Sequence, residues 1–278
     1  MKLITLDHLH DIAEITPNNE ILIRITQNAI KDGSWKVRLS IAKQTDKLVQ
    51  SFGKLVASHH LLDDLSQLLR DPEGEVKWEL VHSFTKCIRL LDLAKIKEFL
   101  LPVFKDTYKD DYANFKEGVA ESICEIAFLV DEHDVTDELI PILIELMKDK
   151  SSGVKIKVVE GLVKLSKVLG PKLFGKEMIE SFNNLLKEES WRVRLSVYDL
   201  MGEIGKTFGR KAFTDTLEEL FLKYFTDKAA AVRETGFKKS GEISEHFGQD
   251  WVSEKLIPKI IENYNNKELS YLHRMTCI

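Results

Sequence analysis

The stretch Ser190-Trp191-Arg192-Val193-Arg194-Leu195 decides the fold, because it returns almost unchanged as Ser34-Trp35-Lys36-Val37-Arg38-Leu39. The two copies lie 156 residues apart, which is four times 39. With the valine as a marker, a 39-residue period runs along the chain without insertion or deletion, at Val37, Val76, Phe115, Val154, Val193 and Val232. Such a fixed period is typical of a solenoid built from stacked repeats.

The composition narrows the possible partners and compartments. The 278-residue chain has a net charge of −5 and a pI of about 6.0, which argues against a nucleic-acid partner, since that class normally needs a basic face. No apolar run approaches the roughly 18 residues that cross a bilayer, so we expect no membrane partner either. Cys87, Cys124 and Cys277 are too few and too scattered for a disulfide framework or a zinc site. We therefore expect a reducing compartment: the cytoplasm, with the nucleus as the alternative.

Apolar columns show that the period belongs to helices. Counted from the marker, apolar residues return at offsets 4, 11 and 15 in nearly every repeat, and together with the marker these positions form one stripe of a 3.6-residue helix. We call this helix B and expect about 16 residues. A glycine follows the last column at Gly53, Gly170, Gly209 and Gly248, and it predicts a left-handed C-cap.

A second, shorter helix, helix A, is predicted before each marker. The predicted ranges are 20–31, 59–70, 97–109, 136–148, 175–187, 213–226 and 252–264. Pro102, Pro141 and Pro258 share one column, and a proline deep inside a helix would cost about 3 kcal/mol, so we expect the A helices to start or kink near it. A loop of about three residues should join A to B.

These patterns predict an all-α fold, an α-solenoid or superhelix of antiparallel helix pairs, in a single array over residues 1–278. Each pair has too much apolar surface to bury alone, so pairs must stack on their neighbours. The predicted units are a partial repeat 1–15, full repeats 16–54, 55–93, 94–132, 133–171, 172–210 and 211–249, and a partial repeat 250–278. Because both terminal repeats are incomplete, we expect the chain to be a section of a longer array.

An acid precedes each marker by five residues and a base follows it directly. The acids are Asp32, Asp71, Asp110, Asp149, Glu188 and Asp227, and the bases are Arg38, Lys77, Lys116, Lys155, Arg194 and Arg233. We expect each acid to accept hydrogen bonds from N–H groups that open helix B. Each base should reach the acid of the adjacent repeat, which makes a charge ladder with a structural role.

The column two residues before the marker is not uniform. It reads Trp35, Gly74, Ala113, Ser152, Trp191 and Ala230, and after a two-residue insertion it continues with Tyr271. Aromatic residues at loop tips, flanked by Lys36, Arg192 and Arg274, are typical of a protein interface, although each tryptophan could instead cover its own loop.

No catalytic, metal or cofactor site is predicted. His8, His10, His59 and His60 lack a Cys or carboxylate partner at ligand spacing, and no phosphate-binding loop, nucleophile elbow or HExxH sequence is present. We therefore expect no enzyme activity and no cofactor.

The repeat pattern resembles HEAT repeats, and three strings narrow the resemblance. SWRVRL at Ser190–Leu195, FGQDWVSEKLIP at Phe247–Pro258 and YLHRMT at Tyr271–Thr276 resemble the scaffold, or A, subunit of protein phosphatase 2A. Nearly the whole chain is covered, from late in the family's fifth repeat into its thirteenth, and two final repeats of the family's catalytic-subunit surface are not covered.

The resemblance implies a scaffold with two partners. Trp191, Arg192, Tyr271, His273 and Arg274 would contact a serine/threonine phosphatase catalytic subunit. The exchangeable regulatory subunit would lie on a second surface, which is made of Trp35, Lys36, Asp71, Pro72, Glu73 and Glu75. One departure from the family is Ala230, where an aromatic residue is usual.

Two other functions remain open. One is a different HEAT-repeat binding module, such as a transport receptor or a structural subunit of a large assembly. The other is a HEAT-repeat metalloenzyme resembling deoxyhypusine hydroxylase, which needs paired His-Glu motifs; no His-Glu dipeptide occurs in the chain.

Overall fold

The computed structural model describes residues 7–16 and 20–275. Residues 1–6 of the predicted partial repeat 1–15, Thr276 of the YLHRMT string and Cys277 lie outside the described residues. The described part of the chain is all-α and contains no strand, which confirms the predicted fold class of a helical-repeat solenoid. None of its helices is long and apolar enough to cross a membrane.

The chain divides into two compact units, unit 1 (Met1–Leu146) and unit 2 (Met147–Ile278). The helices of unit 1 are α1 Leu9–Ile15, α2 Glu20–Ile30, α3 Trp35–Lys43, α4 Thr45–Val56, α5 Leu62–Leu68, α6 Gly74–Cys87, α7 Leu93–Lys95, α8 Leu101–Lys105, α9 Ala113–Ile126, α10 Glu132–Asp134 and α11 Ile140–Leu146. Those of unit 2 are α12 Ser152–Leu169, α13 Lys176–Leu185, α14 Trp191–Thr216, α15 Glu218–Phe221, α16 Ala230–Phe247, α17 Gln249–Trp251, α18 Ile257–Asn265 and α19 Tyr271–Met275. The prediction of one array with the repeat boundaries given above stays a prediction.

The core of each unit follows the apolar columns, and successive B helices pack side by side. In unit 1, α6 packs between α3 and α9; in unit 2, α14 packs between α12 and α16. Every marker from Val37 to Val232 is at most 6% exposed, and every residue of the column eleven positions later is at most 2% exposed. Burying a side chain of this size contributes about 1.5–3 kcal/mol, so the columns supply much of the stability.

Several A helices begin earlier than predicted. The helices predicted at 97 and 136 begin at Leu93 and Glu132, because the side chains of Asp92 and Asp131 accept hydrogen bonds from the first N–H groups and act as N-caps. The proline marks a change inside the helix: π-helical turns at Ile96–Leu100, Val135–Leu139 and Val252–Leu256 come directly before the segments that contain Pro102, Pro141 and Pro258.

The glycines at the ends of the B helices have positive φ angles, as predicted, but they do not form left-handed caps. Gly53, Gly209 and Gly248 combine φ of 76°, 76° and 83° with ψ of 167°, 168° and 176°, a region that essentially only glycine adopts. The glycine interrupts the helix at a single residue, and after Gly209 the chain re-enters a helix that continues to Thr216.

Gly236 departs from an apolar column because an aromatic ring already occupies the space. A Cβ atom at Gly236 would lie 2.1 Å from Cγ of Tyr224. The Tyr224 ring stacks on Phe225, with ring centroids 4.3 Å apart, and its hydroxyl lies 2.8 Å from Oγ of Ser240. The tyrosine therefore fills the core position that a valine, leucine or isoleucine fills in the other repeats.

Candidate protein-interaction surface

The charge ladder forms as predicted and holds the loops between A and B helices. In unit 2, the Arg194 guanidinium donates from Nε and Nη2 to the two carboxylate oxygens of Asp227, at 2.7 and 2.8 Å. Nη1 of the same arginine donates to the carbonyl of Glu188, in its own loop, at 2.6 Å. One side chain thereby ties two successive loops together.

The other described rungs repeat this geometry within each unit. In unit 1, Arg38 pairs with Asp71 at 2.5 and 3.0 Å, and Lys77 pairs with Asp110. In unit 2, Lys155 pairs with Glu188 at 2.7 Å. The acid also accepts the N–H two residues on, as Asp71 does from Glu73 at 2.9 Å, just before helix B begins.

The ion pairs that form the rungs of the ladder are more buried than ordinary surface ion pairs. The side chains of Arg194 and Asp227 are 9% and 7% exposed, and those of Arg38 and Asp71 are 14% and 3% exposed. The hydrogen bond that Arg194 donates to Asp227 is the main cause that raises the pKa of Arg194 further above its ordinary value. Since removing one partner of a buried pair leaves an uncompensated charge, breaking a rung should cost more than breaking an exposed pair.

On the loop edge of unit 2, which we define as residues 186–192, 227–230 and 266–274, Trp191 remains accessible. Its side chain is an exposed large apolar group at 38%, and the Arg192 guanidinium carbon lies 4.7 Å from the centre of the indole ring. Among the described residues, Arg192 has no ion-pair partner. An indole that carries a stacked, unpaired cation can offer a partner both apolar area and charge-assisted hydrogen bonds.

The remaining predicted contacts to the catalytic subunit lie together on the short helix α19. Tyr271 is 65% exposed, while His273 and Arg274 are half-buried. His273 Nδ1 lies 2.7 Å from the Ser270 hydroxyl at the start of that helix. One repeat, which begins its B helix at Ala230, separates this group from Trp191.

Most residues predicted to contact the regulatory subunit are at least partly exposed, whereas Asp71 belongs to the charge ladder. Trp35 is half-buried, with the Lys36 ammonium 6.0 Å from its ring centre, and Pro72, Glu73 and Glu75 are exposed. Asp71 is buried, and its carboxylate binds Arg38. We define the loop edge of unit 1 as residues 34–36 and 71–75. Its exposed part is made by the residues around Asp71 and not by Asp71 itself.

Gly74 is small because a neighbouring aromatic side chain covers it. A Cβ atom there would come within 2.9 Å of the ring of Tyr112, which directly precedes helix α9. Gly74 therefore makes room for a side chain of the next repeat. Its place at the loop tip is taken by Tyr112 from the next repeat.

Two concavities adjoin Trp191, and they differ in charge. The basic cleft is an open space of 840 Å³ lined by Asn183, Lys187, Trp191, Lys223, Thr226, Lys228 and further loop residues. The helix-side groove, of 440 Å³, lies between α12 and α14, where Ile156, Val163, Trp191 and Leu195 line it and Glu160 and Asp199 carry its negative charge. Trp191 forms a wall of both, which sequence columns alone do not reveal.

A network of alternating charges ties α14 to α16 beside the groove. Lys239 Nζ lies 2.7 Å from Glu203, 3.1 Å from Asp199 and 3.3 Å from Glu242, and Lys206 pairs with Glu203 at 2.9 Å and with Glu242. Hydrogen bonds from Lys239 and Lys206 lower the pKa of Glu203 below its ordinary value. The helices approach closely here because Gly202 leaves room for the Lys239 side chain.

Chemistry-bearing side chains elsewhere are already committed to structural contacts. Asp131, His133 and Asp134 have potential ligand atoms within 4.8 Å of one another. However, Asp131 caps helix α10, Asp134 pairs with Lys97, and His133 pairs with Asp137 at 3.3 Å. Burial raises the pKa of Cys87 to about 12, so this thiol is not a nucleophile at neutral pH.

Comparison with known proteins shows the fold of the chain but not its family or its function. No protein-family model matches the chain, and no curated protein matches it. Among solved structures, the karyopherin Kap121p bound to the extreme C-terminus of the protein phosphatase Cdc14p is similar with a TM-score of 0.67 at 14% identity, over 99% of this chain and 33% of that one. Cex1p is similar with a TM-score of 0.64 at 18% identity, over 88% of this chain and 44% of that one.

A designed armadillo repeat protein, YIII(Dq)4CqI, is similar with a TM-score of 0.51 at 15% identity, over 80% of this chain and 99% of that one. This chain thus spans less than half the length of the Kap121p and Cex1p chains. These likenesses show that the protein has the fold of HEAT and armadillo helical-repeat solenoids.

Proposed function

We propose that this protein is a non-catalytic scaffold. It holds a serine/threonine phosphatase catalytic subunit on the loop edge of unit 2 and an exchangeable regulatory subunit on the loop edge of unit 1. The resemblance of the SWRVRL, FGQDWVSEKLIP and YLHRMT strings to the phosphatase 2A scaffold family supports this proposal. The observation that carries it is the exposed Trp191, stacked under Arg192 at the tip of a ladder-held loop.

The division of labour within one motif supports a scaffold role. Val193 and Arg194 are buried and fix the loop, whereas Trp191 and Arg192, two positions away, are exposed. Because the ladder fixes the spacing of loops within a unit, partner residues mounted on them are held ready for binding, and little conformational entropy is lost on association. Tyr271, His273 and Arg274 extend the proposed contact to the next aromatic loop tip.

The proposed contact to the regulatory subunit uses Trp35, Lys36, Pro72, Glu73 and Glu75. Asp71 is left out, because its carboxylate is buried against Arg38. Two acids and one base give this surface a different charge pattern from that around Trp191, so the two partners need not compete.

The test is a pull-down of the purified phosphatase catalytic subunit by the full chain. Replacement of Trp191 by alanine should weaken capture by on the order of 2 kcal/mol or more, because interface tryptophans are common hot spots. Trp35→Ala is the matched control: it should leave capture of the catalytic subunit unchanged and weaken capture of a regulatory subunit. Equal capture by the wild type and the Trp191 variant would remove Trp191 from the interface.

A second candidate is another HEAT-repeat binding module, such as a transport receptor. Kap121p, similar with a TM-score of 0.67, is a karyopherin, and at 14% identity that likeness is one of fold. The same pull-down separates the two candidates, since a transport receptor would show no Trp191-dependent capture of a phosphatase catalytic subunit.

A further inference from the structure

The basic cleft beside Trp191 carries an excess of unpaired positive charge. Lys187, Lys223 and Lys228 are exposed at its rim, and none of them has an ion-pair partner among the described residues. Lys223 makes only a long hydrogen bond, of 3.4 Å, to the Asn183 side chain. This excess lies in a chain whose net charge is −5.

Most of the negative charge inside the cleft is neutralised by the ladder. Asp227 is bound by Arg194, and Glu188 by Lys155, so neither carboxylate balances the rim lysines. Glu189 is the remaining acid of the lining. Three lysines against one glutamate therefore leave a local net charge of about +2 in the cleft that the Trp191 indole also lines.

The shape of the cleft fits a peptide. An open space of 840 Å³ with one large aromatic wall can take several residues of extended chain with an apolar side chain against the indole. A nucleic acid fits less well, because the chain carries a net charge of −5 and nucleic-acid partners normally need a broad basic face. A peptide with separate carboxylates can instead place each one beside a lysine.

We propose that the basic cleft binds an acidic peptide segment of the partner, with carboxylates beside Lys187, Lys223 and Lys228 and an apolar side chain against Trp191. This deepens the proposed function, on which it rests for the identity of the partner. The segment belongs to the protein that the loop edge of unit 2 holds, and its charge gives orientation and association rate more than raw affinity.

The test measures binding of a fluorescein-labelled peptide, GEEDLFEEDG, to the full chain by fluorescence anisotropy. The matched neutral probe is GQQNLFQQNG, which has the same length and the same apolar centre. The acidic probe should bind at least tenfold more tightly than the neutral one at 50 mM salt, and this preference should shrink at 500 mM salt, since exposed charge pairs are screened. Equal binding of the two probes, or a preference that ignores salt, would overturn the proposal.

Two charge reversals locate the site. Lys187→Glu combined with Lys228→Glu should weaken the acidic probe about tenfold or more. Lys211→Glu is the control, because Lys211 is also exposed in unit 2. It follows Gly209, which lies about 27 Å from Trp191 along the helix at 1.5 Å per residue. Loss of binding in the control alone, or in both variants to the same extent, would contradict the assignment.

The outcomes distinguish this inference from the proposed function. Trp191-dependent capture of the catalytic subunit that is unaffected by Lys187→Glu and Lys228→Glu would overturn the acidic segment and leave the scaffold standing. Salt-sensitive binding of the acidic probe without capture of the catalytic subunit would leave the cleft assigned and overturn the phosphatase partner. A (dT)10 oligonucleotide that binds more tightly than the acidic peptide would overturn a peptide occupant.

Discussion

At the scale of single residues, departures from the repeat have identifiable physical causes. Gly236 is small because Tyr224 fills its space, and Gly74 is small because Tyr112 covers it. Trp191 differs from both, since it is large and still exposed. At Gly74 and Gly236 the small residue thus accommodates a large neighbour, whereas no such packing accounts for the exposed Trp191.

The packing at Gly236 can be tested within one helix. Gly236→Ala should destabilise the protein by about 1–3 kcal/mol, because its Cβ would lie 2.1 Å from Cγ of Tyr224 and overpack the core. Gly241→Ala, also in α16, meets no atom within 4 Å and should stabilise by about 0.5–1 kcal/mol through helix propensity. Urea denaturation measures both; a Gly236 variant as stable as the Gly241 variant would refute the packing account.

The sequence predicts the position of Trp191 at a loop tip but misses the basic cleft. A basic residue directly precedes the ladder acid at Lys31, Arg70, Lys109, Lys148 and Lys187, and this column was available as a signal. It could not show which of these side chains are already paired. Lys31, for example, pairs with Asp64 at 2.8 Å, whereas Lys187 has no such partner in the described part of the chain.

At the scale of elements, the ladder explains why loops of this array keep their length and their acid. Asp71, Asp110 and Asp227 each accept an N–H just before helix B and receive a base from the neighbouring repeat, so each serves two elements at once. Start points of the A helices were harder to predict, because a capping aspartate ten residues before the proline competes with the proline for the start of the helix. Structure shows that the caps at Asp92 and Asp131 prevail.

The structural role of Asp71 separates it from its exposed neighbours. Asp71→Ala should lower the free energy of unfolding by about 2–3 kcal/mol, because Arg38 would keep a largely buried charge without its carboxylate. Glu75→Ala, in the same loop region, should change it by less than about 0.5 kcal/mol. Hydrogen exchange of amides in α3 and α6 locates the effect, and unchanged protection in the Asp71 variant would contradict the ladder's role.

At the scale of the whole molecule, acid should unfold unit 2 through its charge network. The pKa values of Glu203 and Glu242 are lowered from an ordinary 4.5 by hydrogen bonds from lysines. Their stabilising contribution is therefore complete above about pH 4.5 and is lost as the pH falls through the lowered folded-state values. Glu203→Gln should flatten this part of the curve of Tm against pH.

The control for acid unfolding is Glu180→Gln, which changes an exposed carboxylate with no ion pair among the described residues. It should leave the slope of Tm against pH below 4.5 unchanged. A Glu203 variant whose slope equals that of the wild type would show that the network does not contribute to acid sensitivity.

The fold class follows from the sequence because the strict 39-residue period places the same buried apolar columns in every repeat. Buried columns, loop positions and ladder pairing within each unit were all predictable from offsets along the chain. Concavities were not, since the basic cleft and the helix-side groove depend on side chains from different repeats meeting at Trp191. The proposed binding surfaces depend on these non-periodic contacts, which cannot be predicted from a single column of the repeat.

The central claim is that one chain holds two proteins at once, and sedimentation velocity of a three-component mixture tests it most directly. The wild-type chain, a phosphatase catalytic subunit and a regulatory subunit should sediment as one 1:1:1 particle. With Trp191→Ala, the catalytic subunit should leave this particle while the regulatory subunit stays. If the two partners displace each other from the wild-type chain, or if neither joins it, the scaffold account is contradicted.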